Sequence, residues 1–133
     1  MPPTSLPETL NCIKKRDLLY SPRVSPEELR EWGRHFLGEG LLVDALNFFA
    51  KVNDAEGLEA CKRAAIEQAD HDVLWKVGHS EAGEVSEADW RACAERAIEM
   101  SKFRTAAYIF ERLEDWGAFD RLPEELDPRR KEE

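Results

Sequence analysis

The chain has 133 residues, a formal charge of −9, and is 42% hydrophobic and 35% charged. That length suits one ordinary domain, and the hydrophobic share is that of a globular chain rather than a disordered one. The negative charge repels phosphate backbones, which disfavours nucleic acid as a partner. The three cysteines, Cys12, Cys61 and Cys93, form no CxxC pair and fit neither a disulfide framework nor a zinc knuckle.

Residues 1–10 contain Pro2, Pro3 and Pro7 and no apolar core, so they do not read as a signal peptide. No apolar run approaches the roughly 20 residues of a membrane span. The expectation is a soluble, cytoplasmic protein. Residues 10–20 are predicted to form a short helix, and 21–24 a linker, because the residue before Pro22 avoids the helical region. Residues 1–24 are therefore an N-terminal segment.

Ser25-Pro26-Glu27-Glu28 is a strong helix start, with a capping Ser, a first-turn Pro and a Glu three residues on. Leu29, Trp32, Gly33, Phe36 and Leu37 then recur at helical spacing, and Gly38-Glu39-Gly40 ends the helix. A second helix is predicted over 42–52, with Ala45, Leu46, Phe49 and Val52 on one stripe. A third follows a capping Asp54 and carries Leu58, Cys61, Ala65 and Ala69. A shorter fourth spans 70–77 with Val73, Leu74 and Val77, and 79–85 is a polar loop. Ser86-Glu87-Ala88-Asp89 repeats the capping pattern before a fifth helix with Trp90, Cys93, Ala94, Ala97 and Ile98. Phe103, Ala106, Phe110 and Leu113 mark a sixth. Residues 115–122 start a further turn or two that Pro123 stops, and 123–133 is a charged tail, expected to be mobile. No stretch alternates for long enough to make a half-buried strand, and the short connections imply antiparallel neighbours.

An internal repeat is the most informative feature. Leu29, Leu58, Trp90 and Phe119 open successive units at spacings of 29, 32 and 29 residues, each followed three positions later by Trp32, Cys61, Cys93 and Leu122. A shift of 61 residues overlays Ala45 on Ala106, Phe49 on Phe110, Lys51 on Arg112, Val52 on Leu113 and Asp54 on Asp115. The first unit reads Leu29-x2-Trp32-Gly33-x2-Phe36 then Ala45-x3-Phe49. The third reads Trp90-x2-Cys93-Ala94-x2-Ala97 then Ala106-x3-Phe110. These residues resemble the tetratricopeptide (TPR) pattern, in which small residues let two helices of a hairpin approach and large ones fill the groove. The period here is shorter than the family's 34 residues, and Gly57 and Ala118 stand nearest the place of its closing Pro. The middle unit departs furthest, with Lys62, Leu74 and Gly78 at motif positions. The resemblance covers residues 26–122. It implies an all-α domain over 25–122 of stacked antiparallel helical hairpins, about three plus a partial fourth, in a TPR-like α-α superhelix.

Chemistry is sparse. Cys61 and Cys93 occupy equivalent core-facing positions and read as small buried side chains. His71 and His79 are not spaced as one metal-binding row, no HExxH occurs, and His35 between Glu31 and Glu39 reads as a solvated face. No Gly-rich phosphate loop or nucleophile setting is present, so no catalytic residue, cofactor or metal is expected. Lys14-Lys15-Arg16 reads as a solvated basic face. Trp116 reads as either a cap over the last hairpin or an exposed contact.

The resemblance implies that the first helix of each hairpin lines a concave side. Arg30 and Arg34, Glu59 and Arg63, and Arg91 and Glu95 then form i, i+4 rows, continued by Leu37, Ile66 and Ile98. This net-positive strip could hold an acidic or C-terminal peptide segment through Arg forks. The competing reading is that these Arg pair with carboxylates of neighbouring helices. The expected function is a protein–protein interaction module or adaptor with a protein or peptide partner and no nucleic acid or membrane. The alternative is a self-associating structural protein, a homodimer, using an apolar end face near Tyr108 and Trp116.

Overall fold

A computed structural model describes residues 12–21 and 23–130, and among them there is no β-strand. The seven α-helices are α1 (Cys12–Tyr20), α2 (Pro26–Gly38), α3 (Leu42–Lys51), α4 (Ala55–Glu67), α5 (His71–Gly78), α6 (Glu87–Glu99) and α7 (Phe103–Arg112). Short 3-10 helices follow at Trp116–Arg121, Glu124–Leu126 and Pro128–Arg130. The residues form two compact units. One comprises the described residues up to Cys61 together with Lys76–Glu84, the other Lys62–Trp75 together with the described residues from Val85 onward.

In the first unit α2 begins as its sequence dictates. The Glu28 amide donates to Ser25 Oγ at 3.1 Å, and Pro26 occupies the first turn, where a missing N–H costs nothing. Leu29, Trp32, Gly33 and Phe36 then face α3, which answers with Leu42, Ala45, Leu46, Phe48 and Phe49, all buried. The rings of Trp32, Phe36 and Phe48 pack together, with centroids 5.4–6.5 Å apart. Phe49 is wedged between two glycines. A Cβ on Gly33 would lie 2.6 Å from Phe49 Cε1, and one on Gly57 would lie 2.2 Å from Phe49 Cδ1. The absence of Pro at 57 follows directly. A Pro ring would strike the same phenyl and would forfeit the bond from the Gly57 amide to the capping Asp54 carboxylate, 3.2 Å. Helix α1 is tied to α3 by Lys15, whose ammonium reaches Asp44 at 2.9 Å and lies 5.1 Å from the Phe36 ring centre.

In the second unit α6 and α7 pair over Cys93, Ala94, Ala97, Ala106, Ile109 and Phe110. Ala94 and Ala106 are fully buried, as close helix approach requires. Ser86 and Asp89 close both halves of a capping box, with the Asp89 amide donating to Ser86 Oγ at 3.1 Å and the Ser86 amide to Asp89 Oδ2 at 2.9 Å. The first 3-10 helix packs on α7 through Phe119 against Phe110. It goes no further because Leu122, which precedes Pro123, is extended, as a residue before proline should be. Within the charged stretch beyond, residues 124–130 form two short 3-10 turns joined by charge pairs. The nearly buried Asp127 carboxylate accepts from the Arg129 amide at 2.9 Å and from its guanidinium at 2.6 Å, and Arg130 pairs with Glu124.

The 61-residue repeat reappears in the backbone. Gly40 (φ 78°) and Ser101 (φ 58°) end the first helix of each pair, and Asn53 (φ 51°) and Glu114 (φ 56°) end the second. Each is followed by the same closing hydrogen bond: Leu41 to Phe36 and Lys102 to Ala97 (2.9 and 2.7 Å), then Asp54 to Phe49 and Asp115 to Phe110 (both 2.9 Å). Helix α4 ends in the same way, with Ala69 at φ 52° and Asp70 bonded to Ala65 at 2.8 Å. These are left-handed C-terminal caps that satisfy otherwise orphaned carbonyls. Adjacent helices pack pairwise within each unit, α2 with α3 and α6 with α7, consistent with hairpins.

Candidate binding surface

The arginine-rich strip is distributed over both units. In the first, Arg30 and Arg34 come together on Glu27, at 3.5 and 3.7 Å, and Arg30 also lies 3.9 Å from Asp54. Leu37 and Glu59 are half-buried. In the second, Arg91 is held by Asp115 at 2.6 Å and Glu87 at 3.0 Å, and Glu95 receives both arms of Arg121 at 2.6 and 2.8 Å. Ile66 and Ile98 are half-buried, and Arg63 is exposed. Hydrogen bonding to Arg121 holds the Glu95 carboxyl below its ordinary value. The pairs Arg30–Asp54 and Arg91–Asp115 occupy equivalent positions. Each joins the first helix of a pair to the Asp that opens the next element.

Cys61 and Cys93 are fully buried. Burial first, then the charge of Asp54 or Asp70, pushes each thiol up to about 11. Both are protonated at neutral pH, which removes the nucleophilic form. Among the described residues no group of three or more His, Cys, Asp or Glu could hold a metal ion, and no helix is long and apolar enough to cross a membrane. His35 differs from the solvated position expected of it. It is half-buried, and its ring meets Trp32 and Phe36 edge-on at 5.8 and 5.4 Å.

The second unit carries a pocket that the sequence reading did not assemble. Trp75, Trp90, Tyr108, Ile109, Arg112 and Leu113 line a recess of about 230 Å³. Trp75 is 50% exposed and Tyr108 37%. Tyr108 is supported on one side by the His71 ring, 4.7 Å away, and the Arg112 guanidinium lies 5.1 Å from its centroid. Helix α7 presents Tyr108, Ile109, Arg112 and Leu113 together because positions i, i+1, i+4 and i+5 share a face. The available signal was Trp75, which falls off the buried stripe of Val73, Leu74 and Val77. Trp90 is half-buried rather than buried, so it lines the recess as well as packing.

Comparison of the chain with protein-family models, with curated proteins and with solved structures finds no match to any of them.

Proposed function

We propose that this chain is a protein–protein interaction module built from TPR-like helical hairpins, without catalytic activity, and that the Trp75–Tyr108 recess is its contact surface. The observation that carries this reading is the gathering of two exposed aromatic side chains, Trp75 and Tyr108, around one recess, whereas the other exposed rings, Tyr20 and Trp116, do not line it. Exposed aromatics beside an Arg are the composition of interaction hot spots. The Arg-lined strip supports the reading less strongly, because Arg30, Arg34 and Arg91 are held by the chain's own carboxylates, and a ligand would first have to displace them. The same recess supports a second reading, self-association, since its exposed Trp75 and Tyr108 are apolar surface that a second copy could cover.

The test compares wild type with Trp75→Ala/Tyr108→Ala, two exposed positions whose loss leaves the core intact. Light scattering on a sizing column is combined with in-cell crosslinking. A monomer at all concentrations, with a defined crosslinked partner lost in the variant, is the expected result. A concentration-dependent dimer abolished by the variant would establish self-association instead. A monomer with the same crosslinks in both proteins would remove the recess from the function.

A further inference from the structure

We infer that the recess on α7 takes an acidic peptide segment, seating one large apolar side chain among Trp75, Trp90 and Leu113 while flanking carboxylates pair with Arg104 and Arg112. This rests on the interaction-module reading and adds the chemistry of the partner.

The argument starts from which charges the chain satisfies by itself. In the second unit Arg91, Arg96, Arg121, Arg129 and Arg130 each have a carboxylate within 4 Å. Arg104 and Arg112 have none among the described residues. Arg112 has only the face of Tyr108, and the two acidic residues closest in sequence, Glu111 and Glu114, are exposed and ion-paired to neither. Among the described residues Arg16 and Arg23 of the first unit likewise have no carboxylate within 4 Å, but Arg104 and Arg112 share a row on the helix that carries the recess. Positions 104, 108 and 112 follow one another at i, i+4 spacing along α7, with Arg112 over the Tyr108 ring and Arg104 one turn before it, lining a neighbouring recess with Pro123, Glu125 and Leu126. Eight residues of helix separate them by about 12 Å, which an extended peptide spans in roughly three to four residues.

The recess sets the middle of the ligand. Its volume of about 230 Å³ lies below the roughly 300–1,000 Å³ of pockets for drug-sized molecules, so it suits a side chain rather than a free metabolite. The one charged side chain in its wall is Arg112, which favours an anionic over a cationic neighbour. Planar guanidinium is also the group that holds carboxylate through paired hydrogen bonds. The expected segment therefore has an apolar residue with carboxylates on either side, about three or four positions apart.

The probes are three blocked hexapeptides, each with a central Leu-Phe pair, flanked on both sides by two Glu, two Lys or two Ser. Binding to the full chain is followed by calorimetry and by the change in tryptophan emission. The Glu peptide should bind at least tenfold tighter than the Lys peptide. Raising salt from about 0.05 to about 0.5 M should weaken it several-fold, since exposed guanidiniums are screened. Arg104→Glu/Arg112→Glu should reverse the order of the Glu and Lys peptides, and Trp75→Ala should weaken both. Both substitutions change exposed positions, and circular dichroism checks that each variant keeps its helix content. Equal binding of all three peptides, or preference for the Lys peptide, would overturn the acidic partner while leaving the recess as a peptide site. Saturable binding of none at about 1 mM, a free energy of only about 4 kcal/mol, would overturn the recess itself and with it the proposed function.

Discussion

Gly57→Ala sets two physical rules against each other. Position 57 lies in the first turn of α4, and helix propensity alone favours Ala over Gly by about 1 kcal/mol. The packing opposes it. A Cβ there would sit 2.2 Å from Phe49 Cδ1 and 2.4 Å from Phe49 Cγ. The near root of the ring is involved, so rotating the ring does not relieve the overlap. Retreat is blocked on the other side by α2, where Gly33 already lies at closest approach to the same ring, and Phe49 is 1% exposed. Overpacking a filled core typically costs about 1–3 kcal/mol, and an overlap this deep belongs at the upper end. The expected net loss is about 1–2 kcal/mol, a fall in Tm of roughly 3–8 °C for a chain of this size. Gly38→Ala is the matched control. A Cβ there meets nothing within 4 Å, so it should stabilise by up to about 1 kcal/mol. Urea unfolding monitored by circular dichroism measures both. Pairing Gly57→Ala with Phe49→Leu should show a coupling of about 1 kcal/mol or more. If Gly57→Ala stabilises as much as Gly38→Ala, the wedge of Phe49 between two glycines is wrong.

Ser101 holds φ 58° at the position equivalent to Gly40 and is exposed. Ser101→Gly should stabilise by about 0.5–1 kcal/mol in the same urea assay, because a left-handed backbone strains any residue with a Cβ. For Asp89, burial pushes the carboxyl up, but the Ser86 amide, Lys62 and the Ser86 hydroxyl outweigh it and hold it below 3.8. The folded state therefore binds this proton less readily than the unfolded chain. The contribution is full above about pH 3.8 and lost as pH falls through the depressed value. Asp89→Asn should remove that part of the acid dependence and flatten stability below about pH 4, and an unchanged slope there would discount the capping box as its source. Cys61 and Cys93, protonated near neutrality and fully buried, should resist a thiol reagent at pH 8 until urea unfolds the chain. Labelling of either in the native state would show that the core opens locally.

Helix existence was legible where a helix carries a period, a start signal or both; α3 and α7 have a period but no capping side chain. Ser25-Pro26, Asp54 and Ser86 cap as read, Asp70 caps as well, and most of the apolar stripe is buried, with Leu37, Val52, Trp90, Ile98, Phe103 and Leu113 half-buried at its margins. Helix ends were harder to read. Asn53, Ala69, Ser101 and Glu114 adopt the left-handed cap that glycine advertises only at Gly40; Asn53 is a residue type that favours it, but nothing in the side chains of Ala69, Ser101 and Glu114 signals it. The ordered turns beyond Pro123 depend on Arg129 folding back on Asp127 two residues away, which no periodicity encodes. The Arg strip was legible as a row, but its partners were not. Asp54 and Asp115 lie 24 residues beyond Arg30 and Arg91. The recess was hidden because Trp75, Trp90 and Tyr108 come from three different helices, and no sequence spacing joins them.

Comparing the chain with itself separates scaffold from surface. A feature that recurs under the 61-residue shift serves what both halves need, which is to fold. Arg30–Asp54 and Arg91–Asp115 recur, as do Gly33 and Ala94, Ala45 and Ala106, and the left-handed caps. Their repetition ties the Arg of the strip to hairpin closure, since each pair anchors the Asp that begins the next element. The recess does not recur. Trp90 stands where the first half has the buried Leu29, and Tyr108 where it has the exposed Asn47. Lys51 and Arg112 both cover a tyrosine ring, but Lys51 covers Tyr20 of α1, whereas Arg112 covers the tyrosine at the rim of a recess. Folding alone would have been served by repeating Leu and Asn. Two large aromatics at these positions, each left partly in water, add nothing to the second core that Leu29 does not supply to the first. The proposed contact surface gives these two aromatics a role that the first half has no counterpart for.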